Sequence, residues 1–142
     1  MRYLLIVAVL SVGCSSQPDL TSEQKSFLNQ ANAIVSIARQ TISHQDQPTF
    51  SRELPDVVDR LKSLADKLPN VSKDKGWLVQ SERIGNIVTF LSLASSNLSR
   101  SKNDLLSKEE QSRNMSDAKE SLDGAIEACD NFDEFAKSQT GI

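Results

Sequence analysis

From Thr21 onward apolar residues return at every third or fourth position, the spacing of helices that bury one face, and no stretch alternates as a half-buried strand would. Thr21-x-x-Gln24 is a capping-box signal, and Phe27, Leu28, Ala31, Ile34, Val35, Ala38 and Ile42 follow on one face, so a first helix is predicted from Ser22 to Ser43. Pro48 breaks the pattern between His44 and Phe50. A second helix, from about Ser51 to Leu68, carries Leu54, Val57, Val58, Leu61, Leu64, Ala65 and Leu68 inward; Pro55 is expected in its first turn, where a missing N–H costs no hydrogen bond. Pro69-Asn70 ends it. A third helix is predicted from Lys73 to Ser99, with Trp77, Ile84, Ile87, Val88, Leu91, Ala94 and Leu98 inward. Ser107-x-x-Glu110 is a second capping box and opens a fourth helix that runs to Lys137. There Met115, Ala118, Leu122, Ala125, Ile126, Cys129, Phe132 and Ala136 form a seam spaced alternately three and four. Four amphipathic helices joined by connections of roughly 4 to 8 residues predict an all-α, antiparallel four-helix bundle, up-down-up-down. The second helix is the shortest, so one end of the bundle should be uneven or capped by the segment 44–51.

The N-terminus carries a different pattern. Arg2 precedes an almost wholly apolar run from Leu4 to Val12, far short of the roughly 20 residues of a membrane-spanning helix, and small residues lead into Cys14. This is the make-up of a cleaved export signal. Leu10-Ser11-Val12-Gly13-Cys14 resembles the lipobox of bacterial lipoprotein precursors, although Ser11 stands where the family usually has Leu. The resemblance implies diacylglyceryl attachment to the Cys14 thiol, cleavage after Gly13 and membrane anchoring; Ser15 matches the class sorted to the outer membrane in diderm bacteria. Ser11-x-Gly13 also satisfies an ordinary secretory cleavage site, which leaves open a released protein with a Cys14–Cys129 disulfide. The expected organisation is a signal peptide at 1–13, a lipidated cysteine and tether at 14–20, and one helical domain at 21–142. At roughly 3.3 to 3.6 Å per residue, the tether Ser15 to Leu20 holds that domain within about 20 Å of the membrane.

The mature 129 residues suffice for one core. Formal charge is −3 for the whole chain, and losing Arg2 leaves 15 basic residues against 19 acids. That balance argues against nucleic acid as a partner, because phosphate binding needs a concentrated basic face. The single histidine, His44, is expected at a helix C-terminus as a partner of the helix dipole rather than as a catalytic base. No Gly-rich phosphate loop, His-Glu-x-x-His, Cys-x-x-Cys or Glu-x-x-His is present, so no catalytic residue, metal site or cofactor is assigned. Cys129 lies on the inward seam and reads as a packed small hydrophobe.

Charge is unevenly spread. Ser26 to Ala38 and Ile84 to Ser99 carry none, and opposite the core seam they present small neutral residues: Gly85, Thr89, Ser92, Ser96 and Ser99 on the third helix, and Ser26, Ala33, Ser36 and Ser43 on the first. Solvated faces normally carry Lys and Glu, so these stripes mark either close packing of the first helix on the third or a face for a protein partner or self-association. The fourth helix carries Glu120, Asp123, Glu127, Asp130 and Glu134 on one face, which reads as a solubilising surface or a site for a basic partner. Lys73, Lys75 and Trp77 are expected at the tether end, toward lipid headgroups or closing the core.

The composite expectation is a lipid-anchored, non-catalytic binding or structural protein of the bacterial cell envelope, an adaptor or assembly factor. An inhibitor or immunity-type lipoprotein acting on an envelope enzyme or toxin is the alternative. Secretion pilotins are similar in size and class, with no motif here that ties the chain to them.

Overall fold

The computed structural model describes residues 20–68 and 75–140, with side chains from 82 onward in the second stretch. Cys14, the tether through Asp19, and the side chains of Lys73, Lys75 and Trp77 lie outside the described residues. Among the described residues there are four helices and no strand: α1 (Ser22–Ser43), α2 (Phe50–Ala65), α3 (Lys75–Ser101) and α4 (Lys108–Thr140).

α1 begins where the capping box places it. The Thr21 hydroxyl accepts from Gln24 N–H at 3.2 Å, and Thr21 N–H donates to the Gln24 side chain at 2.9 Å. The second box opens α4 in the same way, with Glu110 N–H donating to Ser107 Oγ at 3.2 Å and Ser107 N–H to Glu110 Oε2 at 2.9 Å. Hydrogen bonds from the Ser107 hydroxyl and backbone hold the Glu110 carboxyl below its ordinary range. α2 has no such signal: Thr49 makes no side-chain cap, and the helix starts at Phe50, whose ring is buried. Pro55 is the sixth residue of α2 and lies in its second turn, a correction to the first-turn reading. There its missing N–H deprives the Ser51 carbonyl of a helical donor.

Each helix packs on two others, α1 on α2, α2 on α3, α3 on α4 and α4 back on α1, so the four form a ring around one core. The α3–α4 pair shares the most extensive contact. Leu28, Val35, Leu54, Leu61, Ile87, Leu91 and Phe132 are each buried within that core. Among the described residues α1 and α3 share no extensive contact and lie diagonally in the ring, which argues against close α1–α3 packing as the reason for their small neutral stripes.

Gly124 explains the closeness of α3 and α4. A Cβ there would lie 2.7 to 3.1 Å from the Phe90 ring of α3, whereas a Cβ at Gly85 would meet nothing within 4 Å. Glycine inside a helix costs roughly 0.5–1 kcal/mol relative to alanine. Gly85→Ala should therefore recover about that amount in urea unfolding. Gly124→Ala carries the same gain against displacement of Phe90, and should fall short of Gly85→Ala by at least about 1 kcal/mol. Equal stabilisation by both would mean that Phe90 swings aside freely.

The α1–α4 seam is closed at the surface by Arg39. Its Nη2 donates to Asp130 Oδ1 at 2.6 Å and to Asp133 Oδ2 at 2.7 Å. Partial burial pulls the guanidinium pKa down, and the two carboxylates together more than reverse that pull. Asp130 thus leaves the row of free acids read from the sequence, while Glu120, Asp123, Glu127 and Glu134 stay exposed and enter no ion pair within 4.0 Å among the described residues.

Candidate functional site

A cleft lies where α1 hands the chain to α2. His44 is the C-cap of α1, and a run of tight turns follows, with Gln45 N–H on Ile42 O, Gln47 N–H on His44 O and Phe50 N–H on Gln47 O, each within 3.1 Å. Pro48 adds no donor, and the buried Phe50 ring pins the turn down. The segment 45–51 shares one cleft with Leu98, Lys102, Met115, Ala118, Lys119 and Leu122.

Between this segment and the α3–α4 hairpin runs a cleft of about 500 Å³. Its floor is apolar: Phe50, Ala118 and Leu122 are buried and Leu98 is half-buried. Asp46 stands on the loop wall, and Lys102 and Lys119 on the hairpin wall. Met115, placed inward by the sequence pattern, is 37% exposed and lines the cleft instead. Lys102 Nζ donates to Ser51 Oγ at 2.5 Å, and this bridge separates the cleft from a recess of about 330 Å³ formed by Leu54, Pro55, Ser95 and Ser99 with residues shared by both. Among the described residues no carboxylate lies within 4.0 Å of the Lys102 or Lys119 ammonium group.

A second groove, about 310 Å³, follows the α3–α4 seam past Asn86, Phe90, Gly124 and Glu127. Its cation is already committed. Arg83 donates to the Asn131 carbonyl at 2.6 Å and lies 5.7 Å from the centroid of the Phe135 ring.

The small-residue stripe of α3 is only partly a surface. Thr89 and Ser96 are exposed; Thr89 Oγ1 donates to Gly85 O at 2.9 Å, and Gly85 is half-covered. Ser92 is half-buried with its Oγ inaccessible and without a hydrogen-bond partner. Ser26, Ala33, Ser36 and Ser43 of α1 are all exposed. Since α1 and α3 are diagonal, the two stripes do not merge into one face. Cys129 is fully buried, and that burial pushes its thiol up to about 11 against the opposing pull of Arg39. Among the described residues no group of three or more His, Cys, Asp or Glu side chains is placed to hold a metal ion, and no helix is long and apolar enough to cross a membrane.

Sequence reasoning named the 44–51 segment as a cap but missed the cleft beneath it. Lys102 and Lys119 stand 17 positions apart on either side of a hairpin turn, and no local pattern pairs them. Comparison with protein families, characterised proteins and solved structures finds no significant match to this chain.

Proposed function

We propose that the chain is a lipid-anchored, non-catalytic binding or structural protein of the bacterial cell envelope, acting as an adaptor or assembly factor. One observation carries this reading: in the sequence an apolar run behind Arg2 ends in small residues at Cys14, the make-up of an export signal, and a capped helix opens at Thr21 after six intervening residues. Acylation supplies the address and the bundle supplies the surface. Multiple acyl chains hold a protein stably where a single chain binds only marginally. The helices run up-down-up-down in this reading, supported by the way Arg83 faces Asn131 while the later Phe90 faces the earlier Gly124. α1, 22 residues at 1.5 Å each, then carries the chain about 33 Å from the tether, so the cleft and the α3–α4 hairpin tip look away from the membrane.

The intact mass of the native protein should show acyl chains on Cys14, and Cys14→Ser should move it from the membrane to the soluble fraction. Cross-linking in cells should then recover one abundant partner with the anchored form and lose it with Cys14→Ser. An unmodified N-terminus with unchanged fractionation would sink the anchor, and recovery of the protein alone would sink the adaptor role.

A further inference from the structure

We infer that the cleft under the 45–51 segment binds a free, single-chain amphiphile with an anionic head, of the fatty-acid class. This goes beyond the anchor and the adaptor role and stands without either. Three features of the cleft converge on it.

The first is size. About 500 Å³ lies within the roughly 300–1,000 Å³ of small-molecule sites, and the adjoining recess of about 330 Å³ opens across the Lys102–Ser51 bridge. The second is charge. In a chain of net charge −3, two ammonium groups without carboxylate partners share one wall, with the single carboxylate of Asp46 on the opposite wall. A ligand carboxylate at Lys102 or at Lys119 completes a pair that the protein itself leaves open. The third is the floor, where Phe50, Leu98, Met115 and Leu122 supply carbon. Every residue of a peptide brings a backbone N–H and C=O that must be paired when covered; the polar side chains of Gln45, Asp46, Gln47 and Ser51 belong to the loop side, and Phe50, Leu98, Met115, Ala118 and Leu122 offer none. An alkyl chain has no such requirement. Met115, unbranched and 37% exposed, can follow the chain as it settles.

The cleft occupies the end of α1 away from Leu20, and its floor is continuous with the core through Phe50, Leu122 and Leu54. A lone chain lies along that floor with its head at the rim. A two-chain bilayer lipid would have to leave its neighbours to do the same, so the occupant is the free amphiphile.

The test is calorimetric titration of the full chain bearing Cys14→Ser, which brings no acyl chain of its own, with octanoate, decanoate and dodecanoate below their micellar concentrations. Affinity should rise by about fourfold for each methylene that the floor covers. Lys102→Gln and Lys119→Gln should each weaken dodecanoate about fivefold, the upper end for an exposed pair, and the double variant more. Met115→Glu, with a like charge set in the cleft, should abolish binding while far-UV circular dichroism stays unchanged. Dodecyltrimethylammonium should not bind. The inference falls if dodecanoate gives no heat at 1 mM, if the cationic amphiphile binds as well, or if the double lysine variant retains full affinity. It falls equally if the chain sediments with phosphatidylglycerol vesicles and ignores free dodecanoate. None of these outcomes depends on whether Cys14 is acylated in cells.

Discussion

Replacing Phe132 with alanine should cost about 3–5 kcal/mol in urea or thermal unfolding, among the largest losses expected of a single truncation in the domain. The ring is fully buried on α4 and packs edge-on to Phe135, with centroids 6.2 Å apart at 65°. Its removal forfeits transfer free energy and leaves a cavity among helices that relax only partly. A small domain holds roughly 5–15 kcal/mol in total, so the variant would stand close to unfolding at 37 °C. Leu105→Ala is the matching control. Leu105 is 93% exposed at the hairpin tip, and its loss should leave stability within about 0.5 kcal/mol. A loss below about 1 kcal/mol at Phe132 would mean that the α4 seam is not the centre of the core.

The second large effect concerns Cys129. Moving its thiol from 9.0 to about 11 lowers the thiolate population at neutral pH by about a hundredfold, and the thiolate is the form that reacts with alkylating reagents and disulfides. Labelling with an aromatic disulfide at pH 7.5 should therefore run at least about a hundred times slower in the native protein than in urea, where burial ends. The native rate should climb as pH approaches 11. Native labelling as fast as unfolded labelling would place the sulfur at the surface. A thiol that is neither ionised nor reachable resists oxidation.

Local signals gave the helices, and spatial ones gave the rest. α1 runs from Ser22 to Ser43 as read from the sequence because a reciprocal capping box and a one-sided apolar stripe agree there. α2 lacks a side-chain cap, and its start shifted to Phe50 because a buried ring, not a cap, sets it. On α4 the alternating seam identified Ala118, Leu122, Ala125, Cys129, Phe132 and Ala136 correctly. It included Met115 and Ile126, each 37% exposed, and omitted Ala128 and Phe135, each 5% exposed. The error has a direction. α3 covers α4 more broadly than α1 does, so the buried arc of α4 turns toward α3, where Phe135 meets Arg83 and Ala128 lines the groove with Phe90. Periodicity reports that a face is buried, and it carries no measure of how wide each neighbour lies on it. The cleft was illegible for the same reason. Its walls come from a loop, a helix end and a helix start that only the tertiary arrangement brings together.

The diagonal placement of α1 and α3 changes what association through their outer faces would produce. One patch shared by both helices would be self-complementary, and two copies meeting through it would close into a symmetric pair and stop. Faces turned to opposite sides of a ring do not close in that way. If the outside of α1 on one copy met the outside of α3 on the next, each copy added would present a fresh α1, and the contact would be head-to-tail. Where its rotation does not close into a ring, such a contact yields a row whose length is limited by supply rather than by symmetry, and a single charged substitution on either face would cut it everywhere at once.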